Sequence, residues 1–351
     1  MMLTPTLPLS ARGGDEEGVV FMNGVIARLS VVLVALVVAF GSIPDSHGQG
    51  KRKVAMILPG TIQDADFNTL GYVALQDVAK SLDVQVSHSE NVAVADAERV
   101  SREYIASGHD VVAYHGGQFI TIMQKLSAQF PKVVFIQEAS GRVPNTGPNV
   151  WIIGRKYYQG YYALGALAAL STKTNKVGLV GGVRIPDVIS STNAVLMAMK
   201  EHNPKAELIY NFIGDFNDPV KARQTAEAQL AAGADFLVTF VNLGVYGVAE
   251  AVKASPKPAL ITTLYTEKWD AAPKHMTVSL LFDFAKPYRE IVGRILKGEA
   301  SGYYEMRPGS GFELSDILLV SPEVATKVKA IFREIAGGKA LPEITDKIVT
   351  P

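Results

Sequence analysis

Phe236-Leu237-Val238-Thr239-Phe240 is an apolar run in which a single threonine interrupts the hydrophobic side chains. The run lacks the alternation of a strand with one solvated face, so it is typical of a strand that is buried on both faces of a parallel sheet. A segment with helical spacing, residues 220–232, precedes it and stops at Gly233. This order of helix and strand predicts one unit of an α/β fold with a right-handed crossover.

The alternation of strands and helices continues on both sides of this unit, from Lys53 onward. The predicted strands are 54–58, 84–87, 111–114, 133–137, 150–153, 177–180, 208–212, 236–240, 260–263 and 278–281. The predicted helices are 68–81, 95–107, 158–171, 188–201, 220–232 and 286–296. Ten strands are too many for one small sheet but suit two sheets of about five strands each. We therefore predict two lobes. A closed eight-stranded βα barrel is the alternative, but it requires a more even spacing.

The composition excludes several classes of protein. The 351 residues contain 34 basic and 34 acidic side chains, and 48% of them are hydrophobic. Balanced charge gives no reason to expect a nucleic-acid partner, since phosphate binding requires a surplus of Lys and Arg, and the hydrophobicity excludes intrinsic disorder. Because the sequence has no cysteine, disulfides, thiolate catalysis, Cys-ligated zinc and a bacterial lipid anchor are excluded. We expect a monomer without a cofactor.

Residues 1–48 are predicted to be a leader and a signal peptide. Residues 29–44 carry no charge, Arg28 precedes them, and small residues that suit a signal peptidase follow. A transmembrane helix is the alternative, but it needs about 20 apolar residues and this run is shorter. The acidic segment before Met22 is unlike a signal sequence, so Met22 is the expected start. The mature chain should then be soluble in the periplasm, or secreted.

The sequence contains no strong catalytic signature. No two of its six histidines have the spacing of a zinc pair on a helix, and neither a phosphate loop nor a nucleophile elbow occurs. The glycine-rich stretch 178–182 follows a predicted strand but lacks the spacing of a dinucleotide-binding loop. We therefore expect a protein that is not an enzyme.

Aromatic and amide side chains occur on the loops where a parallel sheet collects ligands, after the carboxyl ends of its strands. The candidates, in chain order, are Asp64, Phe67, Asn68, Gly116, Gln118, Phe216, Asn217 and Asn242. Two rings on facing loops can hold a flat heterocycle, with stacking worth about 1–3 kcal/mol per base, and amides can read its edge. Two structural alternatives stay open: Asp64 can cap the following helix, and Phe67 can pack on its own helix.

Four segments carry a resemblance to a known family. They are Asp64-Ala65-Asp66-Phe67-Asn68, Tyr158-Gln159-Gly160-Tyr161-Tyr162-Ala163-Leu164-Gly165, the stretch from Lys176 to Pro186, and Gly214-Asp215-Phe216-Asn217-Asp218-Pro219. In this order they resemble the basic membrane protein family of ABC-transporter solute-binding proteins, which includes purine nucleoside receptors. The resemblance covers roughly residues 52–341.

The resemblance implies a type I periplasmic-binding fold, in which two Rossmann-like lobes are joined by a three-strand hinge. The chain would cross between the lobes near Gly154, Tyr265 and Ser301. The boundaries that follow are 49–154 plus 265–300 for lobe 1, and 155–264 plus 301–351 for lobe 2.

The same resemblance implies that Phe67 and Phe216 sandwich a purine ring and that Asn68 hydrogen-bonds to its edge. In nucleoside-binding members an Asp and a Lys hold the ribose hydroxyls, but residues 264–266 and Phe282 stand at the corresponding places here. An unmatched buried polar group costs on the order of 1–3 kcal/mol. We therefore predict a nucleobase ahead of a nucleoside as the ligand.

Nearby side chains are expected to take over from the missing sugar contacts. Tyr265, Phe282 or Trp269 would fill the space that a sugar occupies, and Asp283 would accept a hydrogen bond from an exocyclic amine of the base. These assignments depend on the resemblance and on the identities of the residues after the predicted strands.

The function expected from these features is that of a receptor. It would close two lobes on a purine-like ligand and present the closed form to an inner-membrane ABC permease. The alternatives are a ligand-sensing receptor for signalling, an uptake receptor for another flat heterocycle such as a flavin, and an enzyme such as a nucleoside hydrolase on the same scaffold.

Overall fold

The computed structural model describes residues 51–349 of the chain. The predicted leader and signal peptide, residues 1–48, lies outside the described residues. Over the described range, no helix has both the length and the apolar character that a membrane-spanning helix needs.

Twelve strands and nine α-helices make up this part of the chain. The strands are β1 (Arg52–Ile57), β2 (Val84–Ser89), β3 (Val111–Tyr114), β4 (Val134–Ala139), β5 (Val150–Arg155), β6 (Lys176–Gly181), β7 (Glu207–Phe212), β8 (Phe236–Phe240), β9 (Leu260–Tyr265), β10 (Met276–Phe282), β11 (Gly302–Pro308) and β12 (Gly311–Leu314). The helices are α1 (Phe67–Ser81), α2 (Val94–Ala106), α3 (Ile120–Gln129), α4 (Tyr157–Ser171), α5 (Pro186–His202), α6 (Pro219–Ala231), α7 (Gly244–Ala254), α8 (Ala285–Leu296) and α9 (Pro322–Ala336).

The strands form one continuous series that divides into two half-sheets. The first half-sheet has the order β2-β1-β3-β4-β5-β11, and the second has the order β12-β10-β9-β8-β6-β7. They meet through a short parallel pairing of β11 with β12 at Arg307↔Gly311 and Pro308↔Phe312. The pairings within each half-sheet are parallel except that of β10 with β12. The predicted α/β fold with two Rossmann-like halves is confirmed.

The strand pairing differs from the predicted lobe boundaries at two places. β10, assigned by sequence to lobe 1, pairs with β9 in the second half-sheet. β11, assigned to lobe 2, pairs with β5 in the first. The chain therefore passes between the half-sheets near Asp283 and Gly309 rather than near Tyr265 and Ser301. β10 is buried along almost its whole length, and a strand buried in this way needs a neighbour on each side, which β9 and β12 provide.

Helix α4 lies at the centre of the second half of the molecule. It follows directly on β5 and packs against α5 and α9. Its residues are buried from Tyr157 to Ala169, and a helix that is apolar all round is a core helix. The end of β5 and the start of α4 thus lie where the two halves meet.

Candidate functional site

The loop after β1 begins the candidate site, and Asp64 organises it. The Asp64 carboxylate accepts hydrogen bonds from the backbone N–H groups of Asp66 (2.9 Å), Asn68 (3.0 Å) and Thr69 (3.0 Å). Burial acts to raise the pKa of Asp64, but these N–H groups outweigh it and hold the pKa below its ordinary value. Asp64 therefore caps the start of α1, which is the structural alternative that the sequence left open.

Phe67 is the first residue of α1, and its ring is part of an aromatic cluster. It stacks on the imidazole of His115 with the ring centroids 4.0 Å apart, and Tyr265 and Phe284 lie 5.8 and 5.7 Å away. The ring is half-buried and lines a cavity between the half-sheets. The Phe67 ring therefore packs against aromatic rings from three other segments of the chain and still presents surface to the cavity.

Asn68 and Gln118 reach the same cavity from the first half-sheet. The Asn68 side chain accepts from Gly60 N–H at 3.1 Å and donates to Asp64 at 2.7 Å, which fixes its orientation. Gln118 follows Gly116 and Gly117 after β3 and is exposed. Both amides keep hydrogen-bonding capacity for a ligand, because an amide side chain offers two donors and two lone pairs.

The second half-sheet contributes Phe216 on the loop before α6. Its carbonyl oxygen accepts from the backbone N–H groups of Asn242 (2.8 Å) and Gly244 (3.1 Å), so the loops after β7 and β8 are bound together. Asp218 caps α6 by accepting from Val220 and Lys221 N–H. The Phe216 ring lies over Gly182, where an added Cβ would be 2.2 Å from the ring. The ring is thus seated on bare backbone and lines the cavity.

Tyr265 stands at the end of β9 in an uncommon backbone conformation. Its φ is 71°, a region that non-glycine residues adopt rarely and that often marks a functional position. Its hydroxyl lies 3.0 Å from that of Tyr157, and its ring lines the cavity. Phe282 packs behind it at 4.8 Å, and neither Phe282 nor Trp269 is part of the cavity lining.

The cavity has a volume of about 630 Å³, within the range of about 300–1,000 Å³ typical of small-molecule sites. Its wall combines rings, amides, bare backbone and one charged pair. The lining residues are Pro59, Gly60, Phe67, Asn68, Gly116, Gly117, Gln118, Ile120, Ser140, Arg155, Tyr157, Val183, Ile185, Pro186, Asp187, Phe216, Asn217, Phe240, Asn242 and Tyr265.

Most of the sequence-predicted site residues meet in this cavity. Those that line it are Phe67, Asn68, Gly116, Gln118, Phe216, Asn217, Asn242 and Tyr265. Asp64 does not line the cavity, and its carboxylate oxygens accept hydrogen bonds at the start of α1. Asp283 is exposed, and its carboxylate accepts from Lys286 N–H at 3.2 Å at the start of α8. The geometry therefore does not support the predicted contact of Asp283 with a ligand amine.

A chain of buried charges supports the floor of the cavity. Arg155 donates to Glu138 and to Asp187, each at 3.3 Å. Glu138 also accepts from Tyr288 at 2.7 Å and faces His115. Burial acts to raise the pKa of Glu138, but His115 and Arg155 outweigh it and hold the pKa below its ordinary value. Arg155 thus joins two buried carboxylates at the floor of the cavity.

Comparison with known proteins identifies the family. A family model described as "ABC transporter substrate-binding protein PnrA-like" matches residues 51–307. The chain belongs to this family. The match includes the four sequence segments that carry the resemblance, and that prediction is confirmed.

Individual relatives agree with the family assignment. A protein from Brucella abortus named "Purine-binding protein BAB2_0673" is 26% identical over 59% of this chain and 59% of its own length. The chain spans only about 60% of the length of the curated relatives that it matches. A solved ABC transporter solute-binding protein from Conexibacter woesei has a TM-score of 0.68 at 24% identity, covering 83% of this chain and 99% of that one. Another from Aeropyrum pernix has a TM-score of 0.72 at 17% identity, covering 84% and 94%. The two structures support the fold.

Several cavity residues were not among the sequence candidates. They are Ser140, Arg155, Tyr157, Asp187 and Phe240. Phe240 and Ser140 follow the rule that ligands gather at the carboxyl ends of strands. Arg155 does so too, since it ends β5. Asp187 follows Pro186 at the end of one of the family segments and directly precedes the helix predicted at 188–201, whereas in the structure it lies in the first turn of α5.

Proposed function

We propose that the chain is the substrate-binding component of an ABC importer and holds a purine-like ligand in the cavity between its half-sheets. The observation that carries the proposal is the position of Phe67 and Phe216. The two rings come from opposite half-sheets and line one cavity. Rings from two sides suit a flat heterocycle, because every base has a π face on which an aromatic side chain can stack.

The family supports the transport role, and one relative supports the ligand class. The Brucella protein is named for purine binding, and the family model describes substrate-binding proteins of ABC transporters. In this proposal the protein is a receptor that does no chemistry on its ligand. It acts outside the inner membrane, closes by a hinge motion and delivers the ligand to a permease.

A nucleobase is preferred to a nucleoside in this proposal. Among the lining residues, no lysine stands near Tyr265 to hold ribose hydroxyls. Lys268, the first lysine after β9, is buried and donates instead to Asp66, to the Leu264 carbonyl (2.9 Å) and to Thr266 (2.9 Å). Ribose hydroxyls near Tyr265 would therefore have no lysine partner, and a buried polar group that is left unpaired costs about 1–3 kcal/mol.

Thermal unfolding in the presence of ligand tests this preference. At equal concentration, hypoxanthine, guanine or adenine should raise the melting temperature more than the matching nucleoside does, because a ligand stabilises the folded state by mass action. A tenfold difference in affinity corresponds to about 1.4 kcal/mol, which should separate the melting temperatures by about 2–4 °C. The reverse order would contradict the preference for a base.

The same samples distinguish a receptor from an enzyme. Chromatography of a nucleoside after incubation with the protein should recover it unchanged. Appearance of the free base would indicate hydrolysis and would contradict the proposal. If none of the bases and nucleosides raises the melting temperature, the proposal of a purine-like ligand is itself contradicted.

The seat of Phe216 provides a second test. Gly182→Ala places a methyl group 2.2 Å from the Phe216 ring, so the ring must swing away while the backbone stays. We expect the affinity for a base to fall by about 1–2 kcal/mol, within the range of one stacking contact, in calorimetric titrations. Gly293→Ala on α8 is the matched control, because no atom lies within 4 Å of the added methyl group there. Unchanged binding by Gly182→Ala would show that the ring does not contact the ligand.

A further inference from the structure

Arg155 is held in one orientation at the floor of the cavity. Its side chain is 7% exposed, and its guanidinium carbon lies 5.6 Å from the ring centroid of Phe67 and 5.3 Å from that of Tyr157. Nη1 donates to Glu138 Oε2 at 3.3 Å. Glu138 is itself fixed by Tyr288. The guanidinium therefore cannot turn to follow a ligand, and a ligand must match it.

Asp187 is the carboxylate of the cavity wall. It lies in the first turn of α5, its side chain is 6% exposed, and its Oδ2 accepts from Arg155 Nη2 at 3.3 Å. Arg155 and Asp187 are the charged residues among those that line the cavity within residues 51–349. Burial raises the pKa of Asp187, and the charge of Arg155 offsets this only in part. The carboxylate also faces the Ser140 side chain, and because an ionised carboxylate has about four lone-pair sites, it can accept a hydrogen bond from a ligand as well.

One donor of Arg155 is also without a partner. Within the described residues, its Nε is buried and makes no hydrogen bond. Such a group is costly to leave unpaired. The guanidinium is a rigid planar fork in which Nε–H lies next to an Nη–H. A ligand atom that accepts from Nε is therefore close to the carboxylate that Nη2 holds. The floor offers a donor and an acceptor side by side.

We propose that Arg155 and Asp187 read the ring edge of the ligand and select a lactam, the carbonyl with an adjacent N–H found in 6-oxopurines such as hypoxanthine and guanine. Nε of Arg155 donates to the carbonyl oxygen, and the Asp187 carboxylate accepts from the adjacent ring N–H. Guanine adds a second donor, its exocyclic amine. Adenine instead presents an amine, which is a donor, to the Nε donor of Arg155. It also presents an unprotonated ring nitrogen, which is an acceptor, to the Asp187 carboxylate. This inference rests on the proposed function, since it takes the ligand to be purine-like.

The experiment compares hypoxanthine with adenine in calorimetric titrations of the full chain and of Asp187→Asn. The wild type should bind hypoxanthine at least about tenfold more tightly, because a site built to pair with polar atoms rejects an analogue that leaves them unpaired. In Asp187→Asn the amide oxygen stays on Arg155 and turns its NH₂ toward the ligand. The ratio of affinities should therefore fall by about tenfold or more. Asp283→Asn makes the same chemical change on an exposed carboxylate outside the cavity and should leave the ratio unchanged.

A second variant keeps the test informative if Asp187→Asn fails to fold. Arg155→Lys keeps the positive charge but removes the fork and its Nε donor, so it should also lose the preference for hypoxanthine while circular dichroism shows a folded chain. If purines bind and the wild type prefers adenine, or if neither variant changes the ratio, the lactam assignment is overturned and the proposed function stands. If no purine binds to the wild type, the proposed function itself fails.

Discussion

Phe67→Ala and Phe216→Ala should each weaken the binding of a purine base by about 1–3 kcal/mol, or roughly 5- to 150-fold in Kd. Both rings line the cavity, one from each half-sheet, so each variant removes one stacking surface. Calorimetric titration with hypoxanthine or adenine measures the change. Because removing both rings leaves the base without either face covered, the double variant should show the largest loss.

The two variants should differ in their effect on stability. The Phe67 ring stacks on His115, so Phe67→Ala also uncovers a buried histidine and should lower the melting temperature. Phe216 lies 6.3 Å from Phe240 on a half-exposed loop, and its loss should affect binding more than folding. The separation of these two readouts identifies the contact with the ligand.

Two further variants are controls for the stacking. Phe216→Leu keeps an apolar side chain but removes the π face, so its affinity should fall between those of the wild type and Phe216→Ala. Phe130→Ala removes a ring from the end of α3, outside the cavity lining, and should bind as the wild type does. Wild-type affinity in both Phe67→Ala and Phe216→Ala would contradict the sandwich and with it the purine-like ligand.

The strands of the fold were predictable because most of them are buried on both faces. A run such as Phe236–Phe240 needs no partner to be recognised, and the structure gives the strand the same bounds. β11 was missed because Gly302–Pro308 mixes exposed and buried residues and ends in proline. Its place beside β5 depends on residues about 150 positions away. Pairing at such a distance leaves no local pattern, and the same cause misplaced the lobe boundaries.

Helix α7 shows how packing can hide a helix from sequence reasoning. Its segment contains Gly244 and Gly247, and glycine weakens a helical prediction because it is a poor helix former. A Cβ at Gly247 would lie 1.8 Å from the carbonyl oxygen of Pro219. The glycine is there to let α6 and α7 approach each other. Only the tertiary contact explains a residue that local propensity disfavours.

The candidate site was predictable as far as single loops determine it. Phe67 and Phe216 stand where the rule for parallel sheets places ligand contacts, and the cavity contains both. Arg155 pairs with Asp187 and so joins β5 to α5 across the two halves. No spacing in the sequence predicts this pairing. Asp283 was expected at the cavity from the resemblance and from its place after a predicted strand. In the structure, the backbone N–H of Asp283 donates to the Gly311 carbonyl at 2.9 Å.

Lys268→Met should lower the free energy of unfolding by about 3–5 kcal/mol at neutral pH, because it leaves a buried carboxylate without its partner. The side chains of Lys268 and Asp66 are 4% and 1% exposed. Asp66 precedes α1 and Lys268 follows β9, so the pair ties the first half of the molecule to the second beside Phe67. Urea-induced unfolding of both proteins measures the difference.

The loss should depend on pH. Burial raises the pKa of Asp66 from 3.8 to about 6 even though the charge of Lys268 opposes the shift. A folded-state pKa above the unfolded value means that this group reduces stability as the pH rises from about 4 through the folded pKa. Without the charge of Lys268, the folded-state pKa of Asp66 rises further, so the pH range over which Asp66 reduces stability extends to higher pH. The difference between Lys268→Met and the wild type should therefore be smaller at pH 5, where the carboxyl is protonated, than at pH 8.

Matched variants separate the buried charge from the loss of a long side chain. Asp66→Asn combined with Lys268→Met removes both charges and should recover much of the stability that Lys268→Met loses, since no unpaired ion remains buried. Lys253→Met breaks an ion pair with Glu250 whose side chains are 42% and 55% exposed, and it should cost at most about 1 kcal/mol. If Lys268→Met costs no more than Lys253→Met, or if its cost is the same at pH 5 and pH 8, the buried pair does not join the two halves in the way the geometry indicates.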